Sequence, residues 1–414
     1  MKRLLLFITV FLGTALLIFS IIYFPNKESF KTFFENREGL AEGSEWIDRT
    51  YSLSGLSQFI RENPEYVSVV SIVAENPDSA IYFMPDEPRT QGTLSNFFII
   101  AGISDLITRG EIDENEWINR DDVARYQLPD VHEHVLQESF KAANDRGWIN
   151  ENRITITHAL ELLAEYKNLA LADYLWWRAG ENYWIELADR LELMQTEMPL
   201  PWSGLYLSVA ASVQNIRFTA IIERWEEYRD GFRQHAIDRS RAFTKDDSFR
   251  NEVSEILKRE RLGLSFMEER DALKLFPQAT AREMAYLLLQ LQNGEFLSPV
   301  TSVFILQKMQ WPMKYQRNIT RNFDNYGALF DNRMGLLNGL DVGTSAYTGE
   351  TTVQAVFFDR LPIAFWFHMS SNHMHQDFQQ RLIFDPAMIE RMQQVVDHHK
   401  ENSDSTAEIP ESGP

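Results

Sequence analysis

The segment Gly92–Gly110 (GTLSNFFIIAGISDLITRG) carries no charged residue from Thr93 to Ser104. Its apolar side chains would cover every side of a helical wheel, and a helix that is apolar all round is buried or lies in a membrane. The stretch is too short to span a bilayer. It therefore predicts the central core helix of a domain, with Thr93 as a plausible cap at its start and Gly110 as a stop.

The N-terminus predicts where the protein is located. Lys2 and Arg3 precede an uncharged apolar run, Leu4–Phe24, of about the 20 residues that a transmembrane helix needs. The basic flank favours a cytoplasmic N-terminus and places the rest of the chain in the periplasm or extracytoplasmic space. We favour an uncleaved anchor over residues 1–25, because no convincing cleavage site precedes Pro25. A cleaved signal peptide is the alternative.

Composition excludes several function classes. The formal net charge of −20 argues against nucleic acid, which binds to a basic surface. The absence of Cys rules out disulfides, thiolate catalysis and zinc–thiolate sites. The segments His132-Glu133-His134 and His373-Met374-His375 lack the i,i+4 spacing of a zinc helix. We therefore predict neither a metal nor another cofactor.

Strand-like segments lie at both ends of the predicted domain. The sequence predicts a β-hairpin over Tyr66–Ala74 and Ile81–Met84. It also predicts strands in three apolar segments near the C-terminus, Gly339–Ala346, Thr351–Phe358 and Ile363–Met369. The sequence between them is mostly helical. The prediction is an α+β fold, in which the N- and C-terminal strands share an antiparallel sheet with packed helices, beside an all-helical lobe.

The remaining segments divide the chain further. Residues 26–50 are polar and are predicted to be a stalk, and residues 51–400 form the domain. Leu205–Phe276 is predicted to be a helical insertion that adds an interaction surface or lid. Residues 401–414 are acidic, poor in apolar residues and predicted to be disordered.

The order of elements and several segments resemble the serine β-lactamase and D-Ala-D-Ala peptidase (penicillin-binding) family, nearest its class A branch. The segments that carry the resemblance are Val67–Gly110, ITITHALELL (154–163), NLALADYL (168–175), ATAREMAYLL (279–288), GEFLSP (294–299) and GLDVGT (339–344). The resemblance implies the family's fold over residues 51–400 and a hydrolase ancestry. Its catalytic motifs are degenerate in this sequence.

The family's first motif is Ser-x-x-Lys, in which Lys can take the proton of the nucleophilic Ser. No Ser-x-x-Lys occurs in the sequence. The resemblance places the motif on Thr93–Asn96, which makes Thr93 a possible hydroxyl nucleophile and Ser95 an alternative one. Asn96 has no proton-accepting pKa and cannot replace the lysine.

The second motif falls on Tyr166-Lys167-Asn168, which satisfies the Tyr-x-Asn form used by some branches. Tyr166 or Lys167 would then be the base, and Asn168 the motif's third residue. The alternative for Tyr166 is an ordinary position on an amphipathic helix. Glu197 could match the family's general-base glutamate, although a surface glutamate is the more common explanation.

The third motif, Lys-Thr-Gly, binds the substrate carboxylate in the family. It falls on Asp341-Val342-Gly343 followed by Thr344, so Asp341 reverses the charge. The other register, Tyr347–Gly349, also lacks the cation. Asp341, Gly343 and Thr344 are therefore the candidate substrate-binding residues.

Three functional hypotheses follow. The first is a membrane-anchored, catalytically weak or inactive homologue that binds a peptidoglycan stem peptide or an envelope protein. The second is an active serine-hydrolase-type enzyme that uses Thr93 or Ser95 as an atypical nucleophile. The third is a structural envelope protein, for which the cleft would be filled.

Overall fold

A computed structural model describes residues 36–407, without the side chains of Asp230 and of residues 403–407. The strands are β1 (Val67–Val73), β2 (Asn76–Phe83), β3 (Arg89–Thr90), β4 (Trp117–Asn119), β5 (Arg153–Thr155), β6 (Gln278–Ala279), β7 (Phe323–Phe330), β8 (Gly339–Ser345) and β9 (Thr351–Phe358). The helices of the first half are α1 (Ser44–Ile47), α2 (Leu53–Glu62), α3 (Asn96–Thr108), α4 (Arg120–Ala124), α5 (Glu133–Asp145), α6 (Ile156–Tyr166), α7 (Leu169–Ala179), α8 (Glu181–Leu191) and α9 (Trp202–Val209).

The helices of the second half are α10 (Ala211–Gln214), α11 (Phe218–Glu227), α12 (Arg229–Lys245), α13 (Asp247–Glu260), α14 (Phe266–Ala272), α15 (Ala281–Asn293), α16 (Pro299–Met309), α17 (Trp311–Tyr315), α18 (Ile363–Ser371), α19 (Met374–Phe384) and α20 (Pro386–Ala407). Short 3-10 turns precede or follow several of them, including Gly92–Ser95 before α3.

One antiparallel sheet organises the fold. Its strand order is β2-β1-β9-β8-β7, so the two N-terminal strands pair with strands from the C-terminal part of the chain, as predicted. On one face, Val70 and Ile72 pack with α3 in the main core. On the other face, Val67 and Val69 pack with α2, α18, α19 and α20. Because both faces are covered, β1 is buried from Val67 to Ile72, and its polar residues, Ser68 and Ser71, are small and uncharged.

The predicted central helix is α3, and every residue of it from Asn96 to Leu106 is buried. Gly110, at φ +75°, lies just beyond its end, as predicted. The predicted cap differs from the structure, because no side-chain cap bond forms at the start of α3 or of the 3-10 turn before it. Instead, the backbone N–H of Thr93 donates to Asp331 Oδ2.

Two C-terminal elements differ from the prediction. Ile363–Met369 was predicted to be a strand and lies in helix α18, which packs against α1 and α19; the Phe365 ring lies 4.3 Å from that of Phe59. A short run that is apolar on all sides fits a buried helix as well as a buried strand. The fifth strand of the sheet is β7, which the sequence analysis missed because Asp324, Asn325 and Gly327 interrupt its apolar pattern.

The segments outside the predicted core also differ in part. From residue 36 the chain packs on the domain rather than forming a stalk: Trp46 is buried, and the Glu42 carbonyl accepts a hydrogen bond from Ala364 N–H. Helix α20 continues through residues 401–407, which were predicted to be disordered. Leu205–Phe276 is helical, as predicted, over α9–α14.

Between residues 36 and 407, no helix combines the length and the hydropathy needed to cross a bilayer. The anchor predicted for residues 1–25 lies outside the described residues.

Candidate functional site

The turn before α3 holds the predicted nucleophile position. Thr93 is buried, and its N–H donates to Asp331 Oδ2 at 2.7 Å. The Thr93 hydroxyl has no hydrogen-bond partner among residues 36–407. Ser95, the alternative nucleophile, is also buried, with 3% of its surface exposed. A hydroxyl nucleophile needs a base within hydrogen-bond reach, and no described base is hydrogen-bonded to the Thr93 hydroxyl.

Asp331 and Arg333 seal this turn. Asp331 follows β7, and its Oδ1 accepts the N–H of Arg333 at 3.2 Å. The guanidinium of Arg333 lies 4.9 Å from the Trp202 ring and donates to the Tyr206 hydroxyl at 3.4 Å. Arg333, Trp202 and Tyr206 are all buried. Because Trp202 and Tyr206 belong to α9, this helix packs against Arg333, two residues after Asp331.

His132 and Tyr206, two polar groups near Arg333, are held in their neutral forms. Tyr206 Oη and His132 Nε2 lie 3.3 Å apart. Burial, together with the positive charge of Arg333 and the neighbouring His134, holds the pKa of His132 well below its usual value. Burial raises the pKa of Tyr206 to about 12. The cavity lined by Tyr206, Glu269, Phe276 and Arg333 measures about 10 Å³, which is room for about one water molecule.

The second motif lies at the junction of α6 and α7. Lys167 ends α6 at φ 57°, a conformation that is uncommon outside glycine and clusters at functional sites. Its side chain is partly exposed and makes no hydrogen bond or ion pair with a described residue. Burial lowers the pKa of Lys167, while Asp331 raises it and Arg333 lowers it further. Lys167 and Thr93 therefore both interact with Asp331.

The other residues of the second motif have structural partners. Asn168 caps α7: its Oδ1 accepts the N–H of Leu171 at 3.0 Å, and its Nδ2 donates to Ser139 Oγ at 2.8 Å. Burial, followed by the charge of Glu165, raises the pKa of Tyr166, which keeps its hydroxyl protonated at neutral pH. Of the three residues, Lys167 has the side chain best suited to act as a base.

The predicted third motif lies away from this turn. Asp341 and Gly343 are on β8, opposite Ala328 and Tyr326 of β7, and Asp341 Oδ2 accepts the Tyr326 hydroxyl at 2.9 Å. Thr344 Oγ1 lies 3.0 Å from Thr351 Oγ1. The structure therefore does not bring these three residues to Thr93. The residue that contacts Thr93 is instead Asp331, which directly follows the edge strand β7.

The sequence analysis missed Asp331 and Arg333 because it missed β7. The sequence does contain a signal for the end of this strand, which is a polar turn directly after the apolar pair Leu329-Phe330. Glu197 is half exposed, and its carboxylate accepts the N–H of Gln278 at 2.8 Å rather than contacting Thr93. Among the residues that the structure describes, no three His, Asp or Glu side chains converge in a way that could hold a metal ion.

Asn96, which the resemblance places at the family's lysine position, allows a test of how this turn is packed. It is 1% exposed, and neither its Oδ1 nor its Nδ2 has a partner in the described part of the chain. An unpaired buried amide costs about 1–3 kcal/mol, and an apolar group of the same shape avoids that cost. Asn96→Leu is therefore expected to raise the free energy of unfolding by about 1 kcal/mol, measured by urea denaturation.

Asn168→Leu is the matched control, because both polar ends of Asn168 are paired. The same substitution there is expected to lower the free energy of unfolding by about 1–3 kcal/mol. Equal losses in the two variants would contradict the unpaired state of Asn96.

Comparisons with known proteins give a likeness at the level of fold. No protein-family model and no curated protein matches the chain. Among solved structures, a β-lactamase from Chitinophaga pinensis matches with a TM-score of 0.45 at 10% identity, covering 84% of this chain and 98% of that chain. A β-lactamase from Sphaerobacter thermophilus gives 0.48 at 12% identity, with 80% and 97% covered. PBP-A gives 0.43 at 12%, with 79% and 97% covered.

Each of these structures is similar to this chain over most of its length, and all three are of the type that the sequence resemblance named. The likeness concerns the fold alone and says nothing about activity. The site must be judged from its own residues.

Proposed function

We propose that the protein is a catalytically weak or inactive serine β-lactamase-like domain, anchored to a membrane by residues 1–25, that works by binding a partner. The observation that carries the proposal is the sealed turn before α3. Thr93 is buried beneath Asp331 and Arg333, and Asn96 stands where the family has its lysine. Acyl transfer needs an accessible hydroxyl and a base in contact with it.

The same geometry favours an envelope protein over a peptidoglycan stem peptide as the partner. A stem peptide would have to reach Thr93, which is buried. Asp331 binds its N–H, and Arg333, Trp202 and Tyr206 form a buried cluster next to Asp331. The helical lobe, α9–α14, adds surface without opening a path to Thr93. A protein partner needs only such a surface.

Intact-protein mass spectrometry after incubation with penicillin G tests the proposal. We expect the mass of the full chain to stay unchanged, because the Thr93 hydroxyl is out of reach. Titration calorimetry with a stem peptide is expected to show no saturable binding. An adduct that maps to Thr93 or Ser95 and disappears in the corresponding alanine variant would overturn the proposal.

The alternative function is residual acyl transfer by Thr93 with Lys167 as base. The observation that favours it is Lys167 itself, which has a left-handed backbone, no ion-pair partner among described residues and a lowered pKa. If this function holds, the penicillin adduct will form on wild type and be lost in both Thr93→Ala and Lys167→Met. An adduct that persists in Lys167→Met would exclude Lys167 as the base.

A further inference from the structure

A second pocket lies outside the turn before α3, between residues 197–200 and helix α12. Its volume is about 170 Å³, below the roughly 300–1,000 Å³ of pockets for drug-sized ligands. Met198, Phe232 and Leu275 supply apolar walls, and Glu197, Arg229 and Arg233 supply charge. The pocket therefore combines an apolar floor with a few polar groups, which is the usual composition of a small-molecule site.

Two of the three charged groups already have partners. Arg229 donates to the carbonyl oxygens of Lys274 at 2.6 Å and Phe276 at 3.4 Å, and it lies 3.4 Å from Glu197 Oε2. That same oxygen accepts the N–H of Gln278 at 2.8 Å. Arg229 and Glu197 therefore neutralise each other and are fixed to the backbone around the pocket.

Arg233 is the third charged group, and it has no such partner. None of the described side chains or backbone groups lies within hydrogen-bond or ion-pair distance of its guanidinium. The two carboxylates that act on it from further away are Glu197 and Glu181, and Glu181 is paired with Arg241 at 2.6 Å. Among the described side chains, therefore, none forms an ion pair with the positive charge of Arg233.

The environment makes that charge costly to leave unpaired. Arg233 is partly buried, and burial lowers its pKa although both carboxylates oppose the shift. A guanidinium presents a planar fork of donors that matches a carboxylate in two parallel hydrogen bonds. The chain as a whole carries a net charge of −20, so an uncompensated cation beside an apolar wall is a local exception.

We propose that this pocket binds a small carboxylate with an apolar body, with the carboxylate on the Arg233 guanidinium and the body against Phe232, Met198 and Leu275. The proposal goes beyond the function proposed above, because the pocket shares neither Thr93 nor Lys167 with the sealed turn. It would stand if the protein proved to be a hydrolase.

Benzoate is a suitable probe, and benzyl alcohol is its neutral counterpart. Titration calorimetry on the full chain is expected to show saturable benzoate binding and none for benzyl alcohol. Arg233→Gln is expected to weaken benzoate binding about tenfold or more, since a hydrogen bond to a charged group contributes on that scale. Arg239→Gln is the matched control: Arg239 lies on the same helix and is partly buried, but it contacts His235 and Phe249 instead.

Arg233→Lys is a second variant, for the case that Arg233→Gln does not fold. It keeps the positive charge and loses only the planar set of donors of the guanidinium. It is expected to bind benzoate more tightly than Arg233→Gln. Equal benzoate affinity in wild type and Arg233→Gln would overturn the proposal. So would the absence of binding to wild type at millimolar benzoate, or equal binding of benzyl alcohol.

Discussion

Gly92→Ala is expected to lower the free energy of unfolding by about 4 kcal/mol, with two additive causes. Gly92 has φ +55°, a conformation in which a residue other than glycine costs about 1–3 kcal/mol. A Cβ at this position would also lie 1.8 Å from Asp331 Oδ2 and 2.8 Å from Leu336 Cδ1. Relieving that overlap means moving packed groups, which costs typically about 1–3 kcal/mol. Urea denaturation monitored by tryptophan fluorescence measures the loss.

Gly110→Ala separates the two causes. Gly110 also has a positive φ, +75°, but no heavy atom lies within 4 Å of where its Cβ would be. It should therefore carry the backbone cost alone, about 1–3 kcal/mol. The excess in Gly92→Ala then measures how tightly Asp331 is held against the turn. Equal losses in the two variants would mean that Asp331 moves aside freely and that the turn is not sealed.

A double-mutant cycle that combines Gly92→Ala with Asp331→Ala tests the same contact. Asp331→Ala removes the oxygen that the new methyl group would meet. Gly92→Ala should then cost less in the Asp331→Ala background than in wild type, because neighbouring residues are not additive.

Much of the fold could be predicted from local sequence. The strands β1 and β9 carry no charged residue and are buried almost throughout, since both faces of the sheet are covered. Helix α3 carries no charged residue from Asn96 to Ser104, where every residue is buried. Helix α15 has a Thr280 cap and a Gly294 stop, both readable from residue type. In these elements local preference and burial agree.

The missed elements are those where tertiary contacts decide. Strand β7 includes Asp324 and Gly327, which are poor strand residues, yet seven residue pairs with β8 hold it in place. Helix α18 begins with a run of apolar residues, most of them buried, where it packs against α1 and α19. No property of either segment alone distinguishes these outcomes.

The candidate site likewise combines positions that local sequence predicts with contacts that it does not. The position of Thr93 and Asn96 at the start of α3 follows from the apolar pattern behind them. The closure of that turn does not, because Asp331 and Arg333 are about 240 residues further along the chain. Tyr206 comes from a third segment, the inserted lobe. Side chains that fill a cleft from distant segments leave no periodic signal in the sequence.

Asp341→Asn tests directly whether Asp341 is a buried structural group or a substrate-binding residue. Asp341 is fully buried, one of its oxygens has no partner in the described part of the chain, and burial raises its pKa from 3.8 to about 7. The folded protein therefore keeps the proton to higher pH than the unfolded chain does. Between about pH 4 and pH 7 folding binds a proton, so wild-type stability falls as pH rises through this window and is level above it.

The expected size of this effect follows from the shift. About three pKa units at roughly 1.4 kcal/mol each give about 4 kcal/mol. Asp341→Asn cannot ionise, so it should be about as stable as wild type at pH 4 and more stable by up to about 4 kcal/mol at pH 8. Burial also raises the pKa of Asp173 to about 7. Asp173 titrates in both wild type and Asp341→Asn, so its contribution cancels when the two stabilities are subtracted.

Asp324→Asn is the control, because Asp324 lies exposed on the adjacent strand β7. It should leave stability unchanged relative to wild type at both pH values, as measured by urea denaturation at pH 4 and pH 8. If Asp341→Asn behaved in the same way, its carboxylate would have to be solvated and charged in the folded protein. That is the state expected of a substrate-binding residue, and the assignment of the third motif to β8 would then regain its support.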